Sequence, residues 1–254
     1  MTLPPPEWHA TLDSTNSYLL RKFEAAENLQ DGYTVCAEHQ TKGRGQRSKT
    51  WTDTPGKSLL FSVGARPYAS LEKQALFSFG LAVTIAETLE KLFEIKSLSI
   101  KWPNDLYLEH QKLGGILVEN VLRGSRWHLA VAGLGLNLWP QPVADDLKMP
   151  PAFLADHTTL PIEAQPLAVQ LQKALAAFMT QPLAKDLMER YNGRLYRKGC
   201  LQTFETEGSQ WKGIVLGALA DGRLLVRKGE TQYPCVHGFD LWIPEWNHHP
   251  LKSF

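Results

Sequence analysis

The segment Leu71 to Phe93, LEKQALFSFGLAVTIAETLEKLF, is of helical length, charged at both ends and apolar through its middle. A helix with so little polar surface has to be buried. The runs that flank it, SLLFSVGA before and SLSIK after, are apolar and of strand length. These three segments predict an α+β core, a β-sheet with helices packed on it. Upstream, Pro4, Pro5 and Pro6 predict an irregular start. Asp13 or Ser14 then caps a helix over about residues 17–26, and YTVCAEH follows as a strand. Downstream, SLSIKWPNDLYLEHQKLGGILVENVL holds three short strand-like runs and WHLAVAGLGLNLWP one more. Residues 141–160 read as an irregular crossing, and residues 162–192 as helix interrupted near Pro182. The last stretch changes character: KGCLQTFE, WKGIVLGAL, GRLLVRKG and TQYPCVHGFDLW are brief strands between Gly turns, which predicts a small β-barrel. The expected division is residues 1–193 and 194–254.

Charge narrows the function classes. With Lys plus Arg at 27 and Asp plus Glu at 26, the net charge is +1, so no broad attraction to DNA or to an anionic membrane is expected. Cys36, Cys200 and Cys235 lie far apart with no Cys-x-x-Cys pair, which gives no support to a disulfide framework or a thiolate zinc site. The first residues, MTLPPPEWHA, have neither a positive nor an apolar leader region, and no run reaches membrane-spanning length. The expectation is a cytoplasmic protein with nothing upstream of this fold.

Two glycine motifs mislead. Gly43-Arg44-Gly45-Gln46-Arg47-Ser48-Lys49-Thr50 approaches a phosphate loop, but Ser48 stands where that loop needs its second Gly, and the turn Thr54-Pro55-Gly56 follows instead of a helix. GLGLNL at 133–138 lacks the third Gly of a dinucleotide fingerprint and runs to Pro140. What the first loop offers instead is four cations, Lys42, Arg44, Arg47 and Lys49, interleaved with glycines that let backbone approach a ligand. By itself that describes many solvated basic turns. Lys101-Trp102-Pro103-Asn104-Asp105 adds a cation, an amide and a carboxylate around a proline, and Lys112 stands at the mouth of a hairpin that continues into Gly114-Gly115. Taken singly, Asn104-Asp105 is a turn, Lys112 a hairpin lysine and Ser14-Thr15-Asn16 a helix cap.

Together they are specific. STN at 14–16, AEHQTKGRGQRSKTW at 37–51, KWPNDLYL at 101–108, KLGGILVEN at 112–120 and GLGLNL at 133–138 resemble, in order and spacing, the biotin protein ligases. The resemblance is strong from about residue 12 to 138, and the strand-rich C-terminal segment is similar to their small SH3-like domain. It implies a class II synthetase-like catalytic fold. It also implies the monofunctional type, since the helix-turn-helix of repressor-type members has no room in this chain and DNA is not an expected partner.

The activity this resemblance implies is ATP-dependent conversion of biotin to biotinyl-5′-AMP with loss of pyrophosphate, then transfer of the biotinyl group to a lysine of a biotin carboxyl carrier protein. Two anions must meet, which calls for fixed cations and Mg²⁺. By resemblance, Ser14, Thr15, Asn16 and Gln40 make polar contacts to biotin, whose ring lies against Gly114 and Gly115, while Arg44, Gly45 and Gln46 belong to the loop that covers it. Lys112 stands between the biotin carboxylate and the α-phosphate; Arg44 and Lys101 share its catalytic charge role. Arg47, Trp51, Lys101, Asn104 and Asn137 join Arg44 and Lys112 around the adenylate. Asn104 and Asp105 are assigned to metal and to positioning of the acceptor lysine, with Asp105 a base if the geometry permits. The loop departs from the family's Gly-Arg-Gly-Arg-Arg-Gly-Arg, with Gln46, Ser48 and Lys49 in place of Arg, Gly and Arg. Gln46 hydrogen-bonds but neutralises nothing, which predicts weaker retention of the adenylate. Two rivals remain, a lipoate or octanoate ligase or transferase and a binding module without catalysis. Edge strands of the sheet leave pairing with a second copy, as a homodimer, or with the carrier open.

Overall fold

The structure, a computed structural model, describes residues 2–26, 29–46, 50–96, 98–143 and 149–243. Strands β1 (Glu7–Leu12), β2 (Tyr33–Gln40), β3 (Ser58–Ala65), β4 (Leu98–Lys101), β5 (Asp105–Leu108), β6 (Gln111–Arg123) and β7 (Arg126–Asn137) form one sheet in the order β1-β2-β3-β7-β6-β5-β4. Only β1 and β2 pair in parallel, so the sheet is mixed. The irregular start expected at residues 4–6 is shorter than predicted: β1 follows at once, its half-exposed, weakly alternating EWHATL giving little strand signal because it pairs on one edge only. The first helix, α1 (Thr15–Ala25), begins two residues before the expected Ser17.

Every residue of β3 is buried, as befits a strand paired on both edges by β2 and β7. One face, with Cys36, Leu59, Phe61 and Val63, packs on α2 (Gln74–Phe93) and α3 (Ala164–Met179). Gly80 lets the ring of Phe178 lie directly on α2; a Cβ there would sit 2.1 Å from it. The other face packs on α1 through Leu19 and Phe23 against Val35, Leu129 and Val131. α1 covers only one end of that face. The rest, over β3, β7 and β6, is left open by the helices.

The chain then passes through α4 (Leu187–Gly193) into β8 (Leu201–Thr206), β9 (Ser209–Ala218), β10 (Leu224–Lys228), β11 (Thr231–Cys235) and β12 (Asp240–Ile243), an antiparallel sheet in the order β11-β10-β9-β8-β12. The run TQYPCVHGFDLW, expected as one strand, is two. The main hydrophobic core continues into this sheet through Phe204, Val215, Leu224 and Trp242. Asn192 of α4 clamps its backbone, donating to Ala218 O at 3.1 Å and accepting from Ala218 N at 2.7 Å. Among the described residues no helix is long and apolar enough to cross a membrane, and the three cysteines are free thiols.

Candidate active site

Sheet register assembles the site. Pairing aligns Ser62, Gly133 and Leu117 in one row across β3, β7 and β6, and Leu60, Gly135, Gly115, Asp105 and Lys101 in the next row, which crosses all the way to β4. The β7, β6, β5 and β4 members of these rows line a cavity of about 410 Å³ on the face that α1 leaves open, a volume suited to a small organic ligand. The glycines of GLGLNL are the reason for the space. A Cβ on Gly133 would lie 2.3 Å from Asn16 Oδ1, and one on Gly135 2.5 Å from the indole of Trp51. Neither glycine motif opens a helix: β7 runs on to Asn137, and among the described residues the loop after Gly43 leads into β3.

One end of the cavity is a network of amide and hydroxyl groups at the start of α1, edged by the Arg44–Glu119 ion pair. Ser14 is the N-cap but makes no side-chain capping bond, so the hydroxyl of this cavity-lining residue is not spent on the helix. Thr15 donates from its backbone N at 2.7 Å and its hydroxyl at 3.0 Å to Gln40 Oε1. Ser62, fully buried, shares its proton between Thr15 Oγ1 at 2.7 Å and Asn16 Oδ1 at 2.6 Å. Asn16 donates to Leu117 O at 3.2 Å and to Glu119 Oε2 at 2.8 Å. The loop's root is tied to the same corner by Thr41 N to Leu12 O and Lys42 N to Asp13 O.

The other end is charged. Lys112 Nζ lies 2.7 Å from Asp105 Oδ1, with both side chains about one third exposed, and both groups stand directly over Gly115, where a Cβ would meet them at 3.2 and 3.0 Å. Any larger residue at 115 would press on the pair. Arg44 is bridged to Thr50 across the loop and donates to Glu119 Oε2 at 2.7 Å. Trp51 closes the loop through its N to Gly43 O at 3.1 Å, and its buried indole N–H has no acceptor among the described residues.

The second sheet supplies a wall that sequence reading missed: His237, Asp240, Leu241, Trp242 and Ile243 line the cavity. Lys101 is directed at this wall, donating to Trp242 O at 3.4 Å with its ammonium 5.1 Å from the Trp242 ring centroid. Trp102 donates to Gly222 O at 2.9 Å and meets His237 edge-on.

The expected residues thus separate. Ser14, Thr15, Asn16, Gln40, Arg44, Gly45, Gln46, Trp51, Lys101, Asn104, Asp105, Lys112 and Gly115 line the cavity, while Gly114 and Asn137 do not. Gly114 faces Gly135 O of the neighbouring strand, where a Cβ would stand at 2.7 Å. Asn137 is buried and donates to Lys112 O and Ala152 O, so it fixes the backbone that carries Lys112. Arg47 lies outside the described residues, as do Ser48 and Lys49. Asn104 is buried with its amide committed to Ile116 O, and Ile116 N donates back to Asn104 O. Among the described residues no cluster of three or more His, Cys, Asp or Glu could hold a metal. Asn104 uses its Nδ2 on Ile116 O, which leaves its Oδ1 as the atom that could face a cation, and Asp105 uses Oδ1 on Lys112.

Residues 8–137 match the family described as "Biotin/lipoate A/B protein ligase family". The chain is 34% identical over 170 residues to the "Bifunctional ligase/repressor BirA" of Escherichia coli, covering 65% of this chain and 50% of that protein. It is 29% identical over 176 residues to the "Biotin--[acetyl-CoA-carboxylase] ligase" of Paracoccus denitrificans, covering 68% and 72%. Matches to the bacterial bifunctional relatives span about half of their length or less. In fold it resembles a biotin protein ligase from Aquifex aeolicus solved with biotin and ATP, at 22% identity and TM-score 0.76, covering 96% of this chain and all of that one.

Proposed function

Because the chain belongs to the biotin/lipoate A/B protein ligase family, we propose that it activates biotin with ATP to biotinyl-5′-AMP and passes the biotinyl group to a lysine of a biotin carboxyl carrier protein. The observation that carries this reading is the polarity of one cavity, with amide- and hydroxyl-bearing groups at one end and the Lys112–Asp105 pair at the other. A cyclic urea is an uncharged donor and acceptor and suits Ser14, Thr15, Asn16, Gln40 and Ser62. A carboxylate and an α-phosphate are anions and suit Lys112, with Arg44 at the loop.

In the first step a biotin carboxylate oxygen attacks the α-phosphorus, a P–O bond forms, the bridging P–O bond to the β-phosphate breaks, and pyrophosphate leaves. Lys112 offsets the repulsion between the two anions and the charge that builds on the phosphoryl oxygens. Arriving anions also draw Lys112 away from Asp105. In the second step the acceptor amine attacks the biotinyl carbonyl, a C–N bond forms, the C–O bond to AMP breaks, and the amine proton passes to Asp105, freed by that shift. Mg²⁺, when bound, would supply charge neutralisation on the nucleotide's phosphates, with Asn104 Oδ1 and the Asp105 carboxylate as the oxygen donors that would hold it. Residues 1–193 act as the catalytic domain and 194–254 as an SH3-like domain closing one side of the cavity, in a cytoplasmic enzyme.

The test is pyrophosphate release from ATP and Mg²⁺ with biotin, lipoate or octanoate supplied separately, followed by transfer to a purified carrier domain. Release with biotin alone supports the ligase. Release only with lipoate or octanoate moves the chain to the other branch of its family, and silence with all three despite biotin binding leaves a binding module.

A further inference from the structure

Glu119 has no part in the reaction above, yet it joins the loop to the start of α1 beside the cavity. It lies on β6 two residues past Leu117, hence on the same face of the strand as Leu117 and Gly115. Its Oε2 accepts from Arg44 Nη2 at 2.7 Å and from Asn16 Nδ2 at 2.8 Å, with the side chains of Glu119 and Arg44 25% and 44% exposed. We propose that Glu119 is a positioning residue that holds Arg44 across the cavity's amide and hydroxyl end and so slows escape of the bound acyl-adenylate. The inference rests on the ligase reading.

Three observations carry it. First, a single carboxylate oxygen ties the loop, through Arg44, to the start of α1, through Asn16. The sheet's register fixes the point of attachment, because Glu119 pairs with Val131 one row beyond Leu117 and Gly133. Second, a guanidinium has five N–H donors in a fixed fork, and Glu119 takes one nitrogen of Arg44. Arg44 also lines the cavity, so its other N–H groups are left for a ligand's oxygens, and the contact orients Arg44 instead of competing with a ligand for it. Third, Gln46 cannot share the task, since it carries no charge. Among the described loop residues Lys42 and Arg44 are the cations, and Lys42 is exposed and does not line the cavity.

The test uses chemically prepared biotinyl-5′-AMP, so that loading does not depend on catalysis, and follows its dissociation from wild type, Glu119→Gln, Arg44→Ala and the double variant. Gln keeps the size of Glu and loses its charge. For an ion pair this exposed, about threefold faster escape is expected for E119Q, with an unchanged melting temperature and unchanged stoichiometry of binding. In the Arg44→Ala background, E119Q should add nothing, because the arginine through which Glu119 acts is gone. Equal or slower escape from E119Q overturns the proposal, and so does an E119Q effect that persists undiminished beside Arg44→Ala. Wild type that fails to retain biotinyl-5′-AMP at all overturns the ligase reading itself, whereas normal retention by both wild type and E119Q removes Glu119 alone.

Discussion

Substituting Gly135 by Ala tests whether the floor of the cavity works by bareness. The added Cβ would lie 2.5, 2.7 and 2.7 Å from three atoms of the Trp51 indole. Ordinary carbon contact begins near 3.5 Å, so the ring must retreat by about 1 Å. Gly135 has no positive φ, and β7 accepts an alanine backbone there. The strain of overpacking is therefore confined to the ring and is worth roughly 1–3 kcal/mol. Part of it is offset by about 0.4–1 kcal/mol from the less flexible unfolded chain. Trp51 roots the loop through Gly43, so its displacement is felt mainly by whatever the loop covers. At tenfold per ~1.4 kcal/mol, a displacement of that cost should lower biotin affinity roughly 5- to 150-fold, and the net strain should lower the melting temperature by at most about 10 °C. Titration calorimetry with biotin on wild type, G135A and the control G193A measures this. Gly193 has no atom within 4 Å of its Cβ position, so G193A should match wild type. Equal affinity for G135A and wild type would refute the idea that the seat of Trp51 on Gly135 shapes the cavity.

Three further expectations follow from the site and its surroundings. Lys112→Ala should slow adenylate formation by about 10²- to 10³-fold in a pyrophosphate-release assay; a rate within twofold of wild type would remove Lys112 from the first step. Gln46→Arg should slow dissociation of biotinyl-5′-AMP by adding a charge to the loop, and faster or unaltered dissociation would contradict the account of the loop's departure from its family. Glu7 sits away from the cavity, where burial pushes its pKa up but hydrogen bonds from Lys22, Tyr33 and Tyr18 hold it down at about 2, against 4.5 unfolded. Its stabilisation is present above pH 4.5 and disappears as pH falls through about 2. E7Q should accordingly show a shallower loss of melting temperature across that window, with the slope that survives due partly to Asp13, which Arg21 also holds at about 2. Parallel acid profiles for both proteins would sink this reading.

What the sequence revealed of the site was chemistry attached to strand and loop signals: the cations of the loop, Lys112 beside paired glycines, and the polar triplet before α1. Register was not legible. Nothing in the order of residues says that Gly135, Gly115, Asp105 and Lys101 fall in one row, since a shift of one residue in any strand would turn each to the other face. Gly114 and Asn137 lie off the cavity lining for the same reason: alternation turns Gly114 toward β7 while Gly115 faces the cavity, and Asn137 donates to backbone at a strand end. Glu119 and Ser62 stayed hidden because a lone carboxylate and a lone hydroxyl inside strands carry no motif. The β1 strand escaped because an edge strand pairs once and needs no strong alternation, and the far wall escaped because a contact between Lys101 and Trp242 spans 141 positions.

That far wall bears on how such a chain can be altered. A β module that merely hangs beside an enzyme can be exchanged with a neighbour's at a linker, leaving the chemistry behind. Here the indole of Trp102, one residue from Lys101, ends on Gly222 O, and residues 240–243 face the ligand space. A graft that replaced the C-terminal strands would recast one side of the mould. Recombination at that junction is thus expected to change what the cavity holds, because the same residues shape both the module and the space.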